Sequence, residues 1–190
     1  MNIYQPLEES KEPQTVVATN TYNENITLRD LWPNEANDFT PWLMKTEIVP
    51  TILSLIDAED YLFWKREIPV GDYRIDMIYH SKKGNSYIVE NQYGLSDNKH
   101  LGQILIYRYL TKIPNILWIC DSVSLEHKRV LKEMKDMNCI LCGVQIHSKY
   151  NLLHQLLGYK MIFTISAEKN IQIIFNVNAD LTKVVFDSII

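Results

Sequence analysis

The chain is poor in cysteine, with three in 190 residues, and so small and odd a number argues against a disulfide framework. That points to a reducing compartment, the cytoplasm. No apolar run approaches the roughly 18 residues of a membrane span. The opening residues, MNIYQPLEESKEPQ, lack the charged-then-apolar order of a secretory signal. The sequon Asn25-Ile26-Thr27 therefore has no expected consequence. Six glycines and seven prolines exclude collagen-like and low-complexity classes. There is no glycine-rich phosphate loop, no nucleophile elbow and no HExxH helix. Positive charge is not in excess either: the net charge is −4, which on its own argues against a nucleic-acid binder.

What is present is a globular composition, 46% hydrophobic and 22% charged. A chain of this length buries enough surface to fold without disulfides or a structural metal. Its charge is uneven. Residues 1–26 carry Glu8, Glu9, Glu12 and Glu24 against Lys11. Residues 65–135 hold twelve lysines and arginines against eight acids. A modest basic bias in mid-chain permits phosphate binding without requiring it.

The patterning divides the chain into a polar arm, residues 1–26, and a single domain, residues 27–190. The arm lacks apolar periodicity and contains Pro6 and Pro13. Residues 34–57 read as helix in two pieces. Thr40 before Pro41 is a capping pattern, and Pro50 requires a break near Thr46. The period then changes to two. Tyr61 to Pro69, Tyr73 to His80 and Ser86 to Gln92 read as a β-meander with turns at 70–72 and 81–85. Residues 97–112 read as a helix capped by Asp97. Ile116 to Cys120 is an apolar run typical of a strand covered on both faces. A charged amphipathic helix follows at 124–137, then a strand from Cys139 to Ile146. Residues 150–158 read as a short helix, and 161–166 with 171–177 as a closing hairpin around 167–170. The sum is an α/β domain: a mixed sheet with a β-meander, a crossover helix and further strands, flanked by helices.

The meander carries the informative geometry. If His80 and Ser86 close the five-residue hairpin, Asp76 falls opposite Glu90. Opposed residues have Cβ atoms roughly 4.5–5.5 Å apart and share a face. Gln92 shares that face two residues on. Like charges set opposite each other are destabilising. Three explanations stand: a cation lies between them, one carboxylate pairs with Arg74 or Lys65, or the register is shifted. A hard divalent ion suits the first, since Mg²⁺ typically takes one or two carboxylates plus water and phosphate. The next helix presents His100, Gln103 and Tyr107 on one face.

Other residues invite less. Cys139-Ile140-Leu141-Cys142 has zinc spacing but lies in an apolar strand without a second pair, so buried free thiols are expected there and at Cys120. Trp42, Trp64 and Trp118 lie among apolar residues and read as core.

Asp76, then Glu90-Asn91-Gln92, then Gln103-Ile104-Leu105-Ile106-Tyr107, on a helix–meander–helix–strand order, resemble the PD-(D/E)xK nuclease superfamily and its restriction-endonuclease-like fold. Residues 31–35 (LWPNE), 39–43 (FTPWL), 69–72 (PVGD), 88–92 (IVENQ) and 100–103 (HLGQ) are similar to a bacterial subgroup that carries Glu-Asn-Gln in place of Glu-x-Lys. The resemblance spans roughly residues 28–178. It implies a nuclease hydrolysing DNA with Mg²⁺ or Mn²⁺ held by Asp76, Glu90 and Glu35. It also implies no membrane partner and leaves room for a homodimer. Gln92 stands where the superfamily has lysine, and a neutral amide can orient water but carries no charge. Lys99 or His100, at the helix start, could supply part of that charge, with Gln103 and Tyr107 holding substrate or site geometry. The alternative is a degenerate module of the same fold that binds nucleic acid or a protein partner without cleaving.

Overall fold

The computed structural model describes residues 21–150, 155–166 and 171–190. The elements are β1 (Thr21–Ile26), α1 (Leu28–Leu31), one turn of π-helix (Glu35–Phe39), α2 (Thr40–Lys45), α3 (Ile48–Asp57), β2 (Tyr61–Val70), β3 (Tyr73–Ser81), β4 (Ser86–Asn91), α4 (Asn98–Thr111), β5 (Asn115–Cys120), α5 (Leu125–Glu133), β6 (Asn138–Tyr150), β7 (Leu156–Ser166), β8 (Ile171–Asn178) and β9 (Val184–Ile189). Consecutive strands β2 to β9 are neighbours in one mixed sheet, and β1 pairs with β6. The β4–β5 and β5–β6 pairs are parallel, crossed over by α4 and α5. Such connections bring helices onto the sheet face. The remaining pairs are antiparallel.

Two apolar layers result. Leu28, Phe39, Leu43, Ile48 and Ile52 of the first helices pack on Tyr79, Val89, Leu117, Phe163 and Phe175. On the opposite face Ile104 and Tyr107 of α4, with Leu131 of α5, cover Ile78, Ile88, Ile116 and Trp118. Helix α4 starts where its sequence says it should, because Asp97 accepts from the His100 main-chain N–H at 2.8 Å. It ends at Lys112, in the left-handed region at φ 64°, two residues before Pro114. Among the described residues no helix is long and apolar enough to cross a membrane.

Four expectations need correction. Trp64 is 55% exposed, not core. It is the extra residue of a bulge in the edge strand β2, between the pairs Phe63–Tyr79 and Lys65–Ile78. Thr40 is no N-cap: its backbone is already helical, after the π-turn, and its hydroxyl instead accepts from Asn91 Nδ2 at 3.0 Å. Tyr150 and Leu156–Gly158 are strand rather than helix, while residues 151–154 lie outside the described residues. Residues 21–26, assigned to the arm, form β1, because thirteen-residue β6 outruns β5 and leaves an edge to pair; residues 1–20 lie outside the described residues, as does the 167–170 turn. Strand β9 carries no strong alternation and was not expected.

Candidate active site

Strands β3 and β4 pair with Met77 opposite Val89 and His80 opposite Ser86. One step further sets Asp76 opposite Glu90. The Asn91 main-chain N–H donates to Asp76 Oδ2 at 2.9 Å, which ties this carboxylate to the strand that carries the other. Glu90 is 3% exposed. Both carboxylates act on the phenol of Tyr107, so they lie on the α4 side of the sheet. Burial drives Asp76 well above the ordinary carboxylate range, although the Asn91 bond pulls it down. Burial, then the charge of Asp76, does the same to Glu90. Glu90 Oε2 is buried without a hydrogen-bond partner. Among the described residues the ion pairs are Lys83–Glu59 and His100–Asp97. Arg74 and Lys65 therefore neutralise neither carboxylate.

Two more acids surround the pair. Glu35 Oε2 accepts from the Tyr93 N–H at 3.1 Å. Burial raises its pKa, and His100, Arg29 and Lys99 moderate the rise. Glu35 in turn raises both Asp76 and Glu90. Glu67, which the sequence reading passed over, falls opposite Asp76 on β2 and adds to the same field. It holds a left-handed φ of 51°, unusual for a non-glycine residue in a strand. Among the described residues no three His, Cys, Asp or Glu side chains are arranged as a ready-made metal ligand set. The centre is thus a carboxylate pair with Glu35 and Glu67 as outer charges.

Gln92 lies on the expected face, 1% exposed. Its amide is occupied: Trp118 Nε1 donates to Oε1 at 3.0 Å, and Nε2 donates to the Leu95 carbonyl at 2.8 Å. The cation whose field lowers Glu90 is Lys99, exposed in the first turn of α4. His100 donates from Nδ1 to Asp97 at 2.9 Å. Tyr107 donates to the Arg74 carbonyl at 2.5 Å, and Gln103 Nε2 donates to the Tyr107 hydroxyl at 3.3 Å. These bonds pin α4 to the strand two residues from Asp76. Gln103 Oε1 is buried and unpartnered.

The turn between β4 and α4 is held by residues that carry no motif. Ser96 Oγ, buried, donates to His127 Nδ1 at 2.8 Å, and His127 Nε2 donates to Asn98 Oδ1 at 3.1 Å. Asp121 accepts from the main-chain N–H groups of Leu28 at 2.8 Å and Gly94 at 2.5 Å. Gly94 takes φ 78°, which a residue with a Cβ resists. Sequence spacing offers no signal for these contacts, which join segments 27 to 93 residues apart. The cysteines are free. Cys142 and Cys139 join opposite apolar layers and cannot chelate together. Burial pushes the Cys139 thiol up to about 12.

No protein family matches the chain, and no curated protein does. Among solved structures the chain is similar to a repair endonuclease from Pyrococcus abyssi, with 18% identity and a TM-score of 0.37. The likeness covers 50% of this chain and 46% of that one, less than half of its length. At that level it carries no weight for the site.

Proposed function

We propose that this chain is a metal-dependent nuclease that hydrolyses DNA phosphodiester bonds at the Asp76–Glu90 pair, within a restriction-endonuclease-like core. One observation carries the proposal. A buried Glu90 and a half-buried Asp76 face each other without an ion-paired protein cation, and Glu90 Oε2 has no hydrogen-bond partner. An arrangement of like charges that costs stability by itself is accounted for if a cation lies between them. The donor set is hard oxygen on adjacent strands, which suits Mg²⁺ or Mn²⁺ with water and substrate completing the shell. Such an ion, when bound, neutralises phosphate charge and makes water more acidic.

The chain's own residues divide the remaining work. Asp76 and Glu90 hold the ion, and Glu35 stands behind them, held by Tyr93. Lys99 supplies the positive charge that Gln92 cannot, from an exposed position open to a phosphate. Gln92 braces the end of β4 and the turn after it through Trp118 and Leu95. Gln103 and Tyr107 fix α4 against β3.

The test is incubation with supercoiled, linear and single-stranded DNA and with RNA, in Mg²⁺ or Mn²⁺. Cleavage by the wild type, lost in Asp76→Ala and Glu90→Ala, is the expected result. Calorimetric titration with Mn²⁺ should show one saturable site that Asp76→Ala removes. Absence of that site would sink the enzyme reading. A second reading, a binding module that does not cleave, is favoured by the engaged Gln92 amide and by the pair having no third ligand arranged with it among the described residues. It predicts DNA retention without hydrolysis under every metal.

A further inference from the structure

The most exposed indole lies on the same sheet face as the carboxylate pair. Trp64 bulges out of edge strand β2 and is 55% exposed. Its ring meets the His80 imidazole at 4.6 Å between centroids, tilted by 47°. His80 is itself held, with Nδ1 hydrogen-bonded to Ser86 Oγ at 2.7 Å. His80 and Asp76 are four residues apart on β3, so alternation gives them one face. Their separation along the strand is about 13 Å, at most about four nucleotides at a stacked rise of 3.4 Å.

The surroundings suit a polyanion at this end. Lys65 and Arg66 follow Trp64 in the chain, Lys65 on the carboxylate face opposite Ile78 and Arg66 on the other face opposite Met77, and Lys82 follows His80 by two residues; all three are exposed. None of them makes an ion pair among the described residues. A bulge and cations on an edge strand also discourage edge-to-edge pairing. That accounts for Lys65, Arg66 and the bulge, but not for an indole left in water on an imidazole. An exposed aromatic ring beside cations is how proteins bind unpaired nucleotides, because every base has a π-face to stack. A duplex keeps its bases stacked on one another and offers no such face.

We infer that Trp64, supported by His80, is a stacking platform for a base of single-stranded nucleic acid whose backbone runs along β2 and β3 to the carboxylate pair. The inference deepens the nuclease reading and rests on it for what happens at the far end of the track. It narrows the substrate to single strands, overhangs or flaps.

The experiment measures fluorescence anisotropy of labelled single-stranded and duplex DNA with the full chain in EDTA, so that no cleavage occurs. The Trp64→Ala variant should lose roughly tenfold or more in single-strand affinity. Trp64→Phe should keep most of it, and duplex affinity should hardly change. Equal single-strand affinity in Trp64→Ala and wild type would overturn the inference. So would wild-type protein that binds no single strand, or a wild-type dimer that Trp64→Ala makes monomeric, which would mark a self-association face. The two readings fail separately. Trp64-dependent binding without cleavage in Mn²⁺ would keep the platform and remove the nuclease. Cleavage unaffected by Trp64→Ala, on a single-stranded substrate below saturation, would do the reverse.

Discussion

The indole N–H of Trp118 donates to Gln92 Oε1 across 3.0 Å, in a setting where Gln92 is 1% exposed and Trp118 0%. That bond, with the one from Nε2 to the Leu95 carbonyl, occupies the amide that was expected to orient water. Gln92→Ala strands the Trp118 N–H and the Leu95 carbonyl, so a loss of about 2–4 kcal/mol in unfolding free energy is expected. Gln92→Lys buries an ammonium against an N–H donor and should destabilise at least as much, with no gain in cleavage. Urea unfolding and rate measurements on the two variants check this. A Gln92→Lys protein as stable as wild type and faster would return Gln92 to catalysis.

Lys99 is the next test. Its side chain is exposed, and its field eases Glu90. Lys99→Ala should leave stability within about 0.5 kcal/mol. It should lower the cleavage rate about 10²-fold, the low end for removing one preorganised electrostatic contact. Lys99→Arg should restore part of the rate, because charge rather than shape is lost. Wild-type kinetics in Lys99→Ala would transfer the role to His100.

Strand β1 yields a stability prediction. A polar terminus that pairs with nothing costs no more than about 1 kcal/mol to remove. Thr21–Ile26 instead pairs with β6, and Ile26 packs against the larger core. Deletion through Ile26 should therefore cost clearly more than about 1 kcal/mol, since it opens a sheet edge and uncovers apolar surface. Thermal unfolding of the truncated chain decides, and an unchanged midpoint would show that β1 adds nothing.

The contrast between β1 and the meander shows what the sequence could convey. Hairpin length and alternation are local, so the pairing of His80 with Ser86, and with it Asp76 beside Glu90, was legible. The Asp97 cap was legible for the same reason. Partners brought in from afar were not. Nothing near Gln92 announces Trp118, twenty-six residues on. Thr40-Pro41 has the look of a helix start, yet the chain was already helical when it reached Thr40. Trp64 sits in an apolar run, and composition cannot tell an edge bulge from a core strand. Glu67 gives no sign in the sequence of its left-handed backbone, nor of its place opposite Asp76. The carboxylate pair could thus be located from sequence, whereas the division of labour around it depends on tertiary contacts.

The pH response of the metal-free protein tests the pair most directly. Asp76 and Glu90 both hold protons more tightly in the folded chain than in the unfolded one, chiefly through burial. An unfolded carboxylate loses its proton near pH 4. Above that, folding takes up protons, so stability falls as pH rises. The contribution is fully present below the unfolded value and is lost as pH climbs through the folded values. Between about pH 5 and about pH 8 the wild-type midpoint should fall more steeply than that of Asp76→Asn. The variant still offers an acceptor to the Asn91 N–H and relieves Glu90 of its neighbour's charge. Carboxylates shifted the other way, Asp30, Glu59, Asp97 and Asp180, belong to both proteins and cancel in the comparison. Saturating Mg²⁺ near pH 8 should then raise the wild-type midpoint and leave Asp76→Asn unmoved, because only a folded site binds the ion. Scanning calorimetry of both proteins across this range, with and without Mg²⁺, gives all four slopes. Parallel pH slopes and no response to Mg²⁺ would mean that the pair is neither strained by its own charge nor relieved by a metal.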